Sequence, residues 1–380
     1  MSAKNQELIR DLNARRILET LIERGTASRA ELAKCLGLTK ATISSQIQSL
    51  LDHGLAEEIG SPKTCKGRRP ILLTFNRSHA YIASFDLTPT GIHLMTADLL
   101  GRDCILHRIS WDKKRESLPA LLISSIQKLR THPDRPLAGI CLGIHGVVHE
   151  NQILFTPYYD LAQLPLKELL EDTFSLPVLL ENEANLSALG EAAFSFGAGN
   201  LVNISVHTGI GLGIIFDGQL YTGADGFAGE FGHTIVQPQG RPCPCGNRGC
   251  LEQYASEDAI LRKYRALKRQ PHASLDDLIQ DYRSSGEAAR AAVEDFLSYL
   301  ALGINNLANL FNPQLIVINS ALSAGLPEIT PKLLARLTNP MSRKCRIEPS
   351  TLQDTAALLG GVCLGSKQYL NIERYCPSPK

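Results

Sequence analysis

His233-Thr-Ile-Val-Gln-Pro-Gln-Gly-Arg-Pro-Cys243-Pro-Cys245-Gly-Asn-Arg-Gly-Cys250 gathers one imidazole and three thiols into a short stretch. Thiolate and imidazole are the ligands Zn²⁺ prefers, and four of them complete its tetrahedron, so His233, Cys243, Cys245 and Cys250 read as a structural zinc site. Pro242, Pro244, Gly246 and Gly249 favour a tight knuckle over a strand or helix. The C-x-C-x₄-C spacing, with a His ten positions ahead, is not the common zinc-finger pattern. Read instead as disulfides or buried thiols, the cluster fits badly with the reducing compartment argued next.

Outward from the knuckle, the other seven cysteines stand singly: Cys35, Cys65, Cys104, Cys141, Cys345, Cys363 and Cys376. Ten in 380 residues are too dilute for a disulfide scaffold. The polar start Met1-Ser-Ala-Lys-Asn-Gln-Glu-Leu lacks the apolar core of a signal peptide. No run of about 18 apolar residues is present, so no membrane span is expected and the cytoplasm is the expected location. A hydrophobic fraction of 44% with 20% charged residues marks an ordinary globular chain of two or three domains. The net charge of +1 hides an asymmetry. Residues 1–70 hold twelve Lys/Arg against eight Asp/Glu, whereas the remainder holds 27 against 30. A basic head on a slightly acidic body points to nucleic acid at one end.

The head, residues 1–75, carries a readable pattern. Ile17, Leu18, Leu21 and Ile22 share one helical face, ended by Gly25. Ser28-Arg-Ala-Glu31 has the form of a capping box and opens a second helix, which stops at Gly37. Thr39 caps a third helix that buries Ile43, Ile47, Leu50 and Leu51. Its other face offers Lys40, Thr42, Ser44, Ser45 and Gln46, side chains suited to base edges and phosphates. Two short helices joined at Gly37-Leu38 form a helix-turn-helix. Gly54–Gly60 and Pro70–Phe75 read as wing strands around a basic tip, where Arg68 and Arg69 would enter a minor groove. A helical protein-interaction domain is the alternative reading of the same pattern.

In the body, residues 78–380, strand-like runs alternate with helical ones. A three-strand meander is expected over residues 80–109, helices over Leu118–Leu129, Glu287–Phe311 and Ala356–Leu370, and glycine-flanked strands near Asn203–His207 and Leu212–Phe216. Periodicity alone gives an α/β body with two lobes.

Several motifs together resemble the ROK family of sugar kinases and sugar-responsive repressors. They are Glu230-Phe-Gly-His233 with the knuckle behind it, Gly67-Arg-Arg-Pro70 after a helix-turn-helix, and the duplicated meander-plus-helix halves. The resemblance spans about residues 8 to 370. It implies an N-terminal winged helix-turn-helix followed by a two-lobed actin-like ATPase fold, with a sugar held between the lobes. Carried over position by position, Gly143-Ile-His-Gly146 matches the family's loop close to the sugar, with Gly146 permitting the approach. Asn182 and Glu183, from Glu181-Asn-Glu-Ala-Asn185, are expected to touch sugar hydroxyls, as are Glu230, His233 and Glu252. Carboxylates and an amide pair such hydroxyls through charge-assisted bonds. Zinc would take one ring nitrogen of His233 and leave the other to the sugar. Without the resemblance, Glu181, Glu183 and Glu191 read as an exposed acidic helix start.

The family's kinases carry a D-x-G-G-T phosphate loop. Here Asp86-Leu-Thr-Pro-Thr-Gly91 stands instead, and Pro89 has no N–H to donate to a phosphate. Glu183 occupies the place of the family's catalytic Asp and is one methylene longer. Asn319-Ser-Ala-Leu-Ser323 replaces the adenosine segment, although Thr208-Gly-Ile-Gly-Leu-Gly213 retains the look of a second phosphate loop. No enzymatic activity is therefore expected. The resemblance implies a transcriptional repressor acting as a homodimer or homotetramer on palindromic operator DNA. Glu181–Ala184 looks more like the xylose repressors than like those that sense amino-sugar phosphates, which makes a free aldose the expected effector. A sugar kinase and a regulator driven by a protein partner are the competing readings.

Overall fold

The computed structural model describes residues 3–60, 71–89, 91–112, 117–129, 135–157 and 160–377, with side chains from residue 11 onward. The head opens with α1 (Ala3–Arg24), followed by β1 (Thr26–Ser28), α2 (Arg29–Leu36), α3 (Lys40–Asp52), β2 (Ala56–Ile59) and β3 (Leu72–Phe75). The first helix is much longer than the face Ile17–Ile22 predicts. Leu8, Ile9 and Leu12 already carry an apolar stripe ahead of Ile17–Ile22, a signal the reading of the sequence passed over. The three strands form one sheet in the order β1-β3-β2, which is a wing packed beside three helices. Ile17, Leu21, Leu32, Ile43, Ile47 and Leu73 are fully buried and make the head's core.

Next come β4 (Tyr81–Thr88), β5 (Gly91–Asp98), β6 (Ile105–Ile109), α4 (Leu118–Leu129), β7 (Leu137–Ile144), β8 (Val147–His149), β9 (Gln152–Phe155), α5 (Leu166–Phe174) and β10 (Val178–Asn182). The main sheet has the order β10-β7-β4-β5-β6. β4 pairs antiparallel with β5 and parallel with β7, with Asp86 opposite Gly143. Its core gathers Phe85, Leu87, Leu142 and Ile144 with Leu122, Ile126 and Leu170 from α4 and α5.

The remaining elements are α6 (Glu183–Glu191), β11 (Leu201–Val206), β12 (Ile210–Phe216), β13 (Gln219–Leu220), α7 (Glu252–Ala255), α8 (Glu257–Lys268), α9 (Leu275–Arg283), α10 (Glu287–Phe311), β14 (Leu315–Ser320), α11 (Ala321–Gly325), α12 (Ile329–Arg336), α13 (Pro340–Lys344), β15 (Arg346–Pro349) and α14 (Ala356–Leu370). Their sheet runs β13-β12-β11-β14-β15. Here too the first strand is central, with an antiparallel neighbour on one side and a parallel one on the other. The two sheets share one strand order, so the body is a duplicated α/β fold. α10 is the spine of the second core, where Phe296, Leu297, Leu300 and Ile304 meet Ile204, Ile316 and Ile318.

The chain divides into two compact units, residues 1–181 with 358–380 and residues 182–357. The head thus belongs to the same unit as the first body sheet. Among the described residues, no helix is long and apolar enough to cross a membrane.

Candidate functional site

The head presents its recognition surface through two capped helices. Ser28 Oγ accepts from the Glu31 amide, and Glu31 Oε2 accepts from the Ser28 amide at 2.7 Å, which closes the predicted capping box. Those hydrogen bonds from Ser28 hold the Glu31 carboxyl below its ordinary range. Gly37 ends α2 in the left-handed conformation, φ 65°, and turns the chain into α3. Thr39 caps α3 by accepting from the Thr42 amide. Lys40, Ser44 and Ser45 point outward. Thr42 is half-buried and its hydroxyl is engaged by that of Thr39 at 2.9 Å.

Gln46 is a correction. It is buried, because it lies with Ile43, Ile47 and Leu50 on the i, i+3, i+4, i+7 stripe that faces the head's core. The amide belongs to the packing surface and cannot read a base from there. Arg68 and Arg69 lie outside the described residues.

In the second unit, the knuckle closes as its sequence demands. Cys243 N–H donates to the Asn247 carbonyl and Gly246 N–H to that of Cys243, a turn of a few residues around two thiols. Gly249, at φ 86°, is required: a Cβ there would lie 1.8 Å from the Gln237 carbonyl oxygen. One ligand atom from each of His233, Cys243, Cys245 and Cys250 falls within 4.8 Å of every other. Cys245 Sγ and Cys250 Sγ stand 3.6 Å apart, and Cys243 Sγ stands 3.5 Å from His233 Nδ1. Tetrahedral ligands about 2.0–2.3 Å from one ion stand roughly 3.4–3.8 Å apart, so the set fits a metal ion of zinc's kind. Burial raises the Cys243 and Cys250 thiols above their ordinary range.

Two glutamates flank the imidazole. Glu252 Oε1 lies 3.6 Å from His233 Nδ1 and Glu230 Oε2 lies 3.7 Å from Nε2. Partial desolvation raises the Glu230 carboxyl, His233 opposes the shift and Glu252 adds to it. Glu230, His233 and Glu252 are therefore brought together beside the knuckle. Several partners were not legible from the sequence. Gln253 Nε2 reaches Cys243 Sγ at 3.7 Å, and Arg241 lies 4.5 Å over the Tyr254 ring, which stacks on Tyr299. Arg241 is thereby a packing residue of the knuckle.

Asn182 and Glu183 sit at the start of α6. Asn182 Oδ1 accepts from the Ala184 and Asn185 amides and caps the helix. Glu183 turns inward, accepting from Ser187 Oγ at 2.8 Å and Ser205 Oγ at 3.2 Å. Glu191 is fully buried, and Ser350 Oγ donates to it. Burial raises the Glu191 carboxyl above its ordinary range. The exposed acidic helix start is thus overturned at Glu183 and Glu191, because β11 and the chain after β15 supply hydroxyl partners that lie far away in sequence.

The glycines of Thr208–Gly213 serve packing. Gly211 and Gly213 lie on β12 under α6. A Cβ on Gly213 would come within 2.2 Å of the Ala184 carbonyl oxygen. At Gly209 it would come within 3.2 Å of a Glu252 carboxylate oxygen. The segment Asn319–Ser323 borders a cavity of ≈ 220 Å³ lined also by Pro349, Ser350 and Gln353.

In the first unit, Gly146 follows β7, where an added Cβ would lie 2.2 Å from the Phe155 carbonyl oxygen. The close approach this glycine permits is that of the β8–β9 hairpin. Beside it, His145 Nε2 meets Asp86 Oδ1 at 2.9 Å.

Comparison with known proteins agrees with this architecture. Residues 13–59 match the model of a helix-turn-helix domain and residues 86–368 match that of the ROK family. The chain is 32% identical over 383 residues to the xylose repressor of Bacillus spizizenii, covering 98% of this chain and 99% of that one. A glucokinase of Halalkalibacterium halodurans is 34% identical over 260 residues, covering 63% of this chain and 79% of the enzyme. The solved structure of a ROK family transcriptional regulator, a homologue of the E. coli Mlc protein, superposes with a TM-score of 0.81. It is 26% identical and covers 96% of this chain and 97% of that one. The helix-turn-helix head, the duplicated body and the His-Cys₃ knuckle are parts of one design, and the chain belongs to the ROK family.

Proposed function

We propose that this chain is a sugar-responsive transcriptional repressor of carbohydrate-utilisation genes, with a free aldose, D-xylose first, as its effector. One observation carries the reading: a helix-turn-helix head that presents Lys40, Ser44 and Ser45 is joined to a ROK body, a combination shared end to end with a xylose repressor. In this reading the head, with Arg68 and Arg69 on its wing, binds a palindromic operator as part of a homodimer or homotetramer. The protein acts in the cytoplasm. The sugar's proposed contacts are Gly146 in the first unit and Asn182, Glu183, Glu230, His233 and Glu252 in the second.

Zn²⁺ on Cys243, Cys245, Cys250 and His233 Nδ1 would fix the imidazole's orientation and leave Nε2, beside Glu230, for a hydroxyl. The Glu230 and Glu252 carboxylates on either side of His233 disfavour a sugar phosphate, which carries about two negative charges at neutral pH. Asn182 and Glu183 are already engaged within α6 and β11, so Glu230 and Glu252 bear most of the direct recognition.

A sugar kinase is the second reading, and the similarity to a glucokinase favours it. Pro89 and the packed glycines of β12 stand against it. One set of experiments separates the two. The wild-type protein selects a duplex from a random DNA pool, and its affinity for that duplex is measured with xylose, glucose and glucose 6-phosphate. ATP consumption is followed in parallel. A shift in DNA affinity with a free aldose and no sugar-dependent ATP turnover is the expected result. Tighter binding of the sugar phosphate, or turnover of ATP, overturns the assignment.

A further inference from the structure

We propose that the segment Ile372–Cys376 is a strap that holds the head through α1 and passes movement of the body to it. The proposal rests on the sugar-sensing reading above and names the mechanical link that reading requires.

The chain passes between the two compact units at residues 181/182 and again at 357/358. The second passage falls in the first turn of α14. From there α14 lies tightly on β4. A Cβ on Gly361 would stand 2.1 Å from Ser84 Oγ, and one on Gly365 would stand 2.9 Å from Ile82 Cγ2. A helix seated this closely moves as a piece. After it, Asn371 takes φ 52° and reverses the chain. Ile372 and Tyr375 are then buried, with the Tyr375 hydroxyl donating to the Leu99 carbonyl at 2.8 Å.

Between those two anchors the strap clasps the head. The backbone amides of Glu373 and Arg374 both donate to Glu19 Oε1 on α1, at 3.0 and 2.9 Å. An ionised carboxylate accepting two amides makes charge-assisted bonds, stronger than neutral ones. The C-terminal half of α1 packs on the DNA-reading helices. Ile17 and Leu21 enter the head's core, Arg16 donates to the Leu36 carbonyl at the end of α2, and Arg24 reaches Cys35 on the same helix. A second route runs in parallel. The Tyr369 ring on α14 lies 6.0 Å from that of His79, and His79 Nδ1 lies 3.3 Å from where a Cβ on Gly54, just past α3, would stand. Asn76 donates to the Gly54 carbonyl and keeps this joint closed. One helix that begins at the passage between the units thus ends in two contacts on the head, one behind α1 and one behind α3.

The test uses full-length Glu19→Ala, with Glu19→Gln as the conservative variant, since a glutamine oxygen still accepts both amides. Xylose affinity is measured by calorimetry, and affinity for the selected duplex is measured with and without saturating xylose. Allosteric ratios of this kind typically run from about 5 to 150-fold. Glu19→Ala is expected to leave xylose affinity within about twofold and to bring the ratio close to one, while Glu19→Gln retains most of it. A ratio in Glu19→Ala equal to that of the wild type overturns the strap.

A sugar-independent arm stands beside this one: amide exchange across residues 11–60 should quicken in Glu19→Ala and not in Glu19→Gln. If wild-type DNA affinity ignores every sugar, the sensing reading falls. The strap is then judged by exchange alone, and unchanged protection of the head overturns it.

Discussion

Replacing Gly213 by Ala tests whether the glycine run on β12 exists for packing or for phosphate. The added Cβ would lie 2.2 Å from the Ala184 carbonyl oxygen and 2.5 Å from Ala188 Cβ. Carbon atoms rest about 3.5–4.0 Å apart, so α6 must lift by roughly 1 Å or more. Overpacking of this kind costs about 1–3 kcal/mol. Alanine also trims the freedom of the unfolded chain, which returns about 0.4–1 kcal/mol. A net loss of about 1–2 kcal/mol corresponds to a melting point lower by roughly 2–8 °C at about 2–4 °C per kcal/mol for a domain of this size. Because α6 begins at Glu183 and is capped by Asn182, xylose affinity should fall with it. Differential scanning calorimetry gives the first number and titration calorimetry the second. Gly209→Ala is the control for the melting point alone, since its Cβ meets only the movable Glu252 carboxylate at 3.2 Å. If Gly213→Ala melts within about 1 °C of the wild type and binds xylose normally, the packing argument is wrong.

Cys245→Ser should abolish the roughly one equivalent of zinc expected for a four-ligand site and weaken xylose binding; metal-free wild-type protein with full sugar affinity would remove zinc from the account. Removing Arg68 and Arg69 together should flatten the salt dependence of DNA binding by up to about two counterions. An unchanged slope with unchanged affinity would place the phosphate contacts elsewhere. Ser28→Ala breaks the capping box and should cost about 1 kcal/mol of head stability, read from denaturant unfolding; a loss below about 0.3 kcal/mol would show that the box is not what holds α2. Glu191 carries a raised carboxyl pKa, so the folded state holds its proton to higher pH than the unfolded state and ionisation opposes folding. Stability should therefore fall as pH rises from the ordinary glutamate range through the raised value. Glu191→Gln should melt higher than the wild type at pH 8 and lose that advantage near pH 4, and a pH-independent difference would contradict the assignment.

Much of the fold was legible because its signals are local. α4, α10 and α14 occupy the predicted residues, since each carries a continuous apolar face. The capping box at Ser28 and the knuckle were readable because their partners lie close in sequence, at Ser28 and Glu31 in the box and within His233–Cys250 in the knuckle. What stayed hidden depends on distant partners. Glu191 looks like a solvated acid until Ser350, 159 residues later, is placed against it. Asp86 and His145 are 59 residues apart. Gln46 misled because residue type was weighed over helical phase. α8 and α9 escaped notice because each is mostly polar, with only a few buried positions such as Ile260, Tyr264 and Leu278.

The clasp on Glu19 also has a place in time. Its partners are separated by 354 and 355 residues, so the acceptor leaves the ribosome long before its donors are made. At about 5–20 residues per second, that interval is roughly 20–70 s. The head's own core needs nothing beyond Phe75 and can close early in that interval. For the rest of it, each nascent chain displays a folded reading head with no tether behind α1. Synthesis of a repressor whose genes are already engaged therefore passes through a stage in which the head answers to DNA before it answers to sugar.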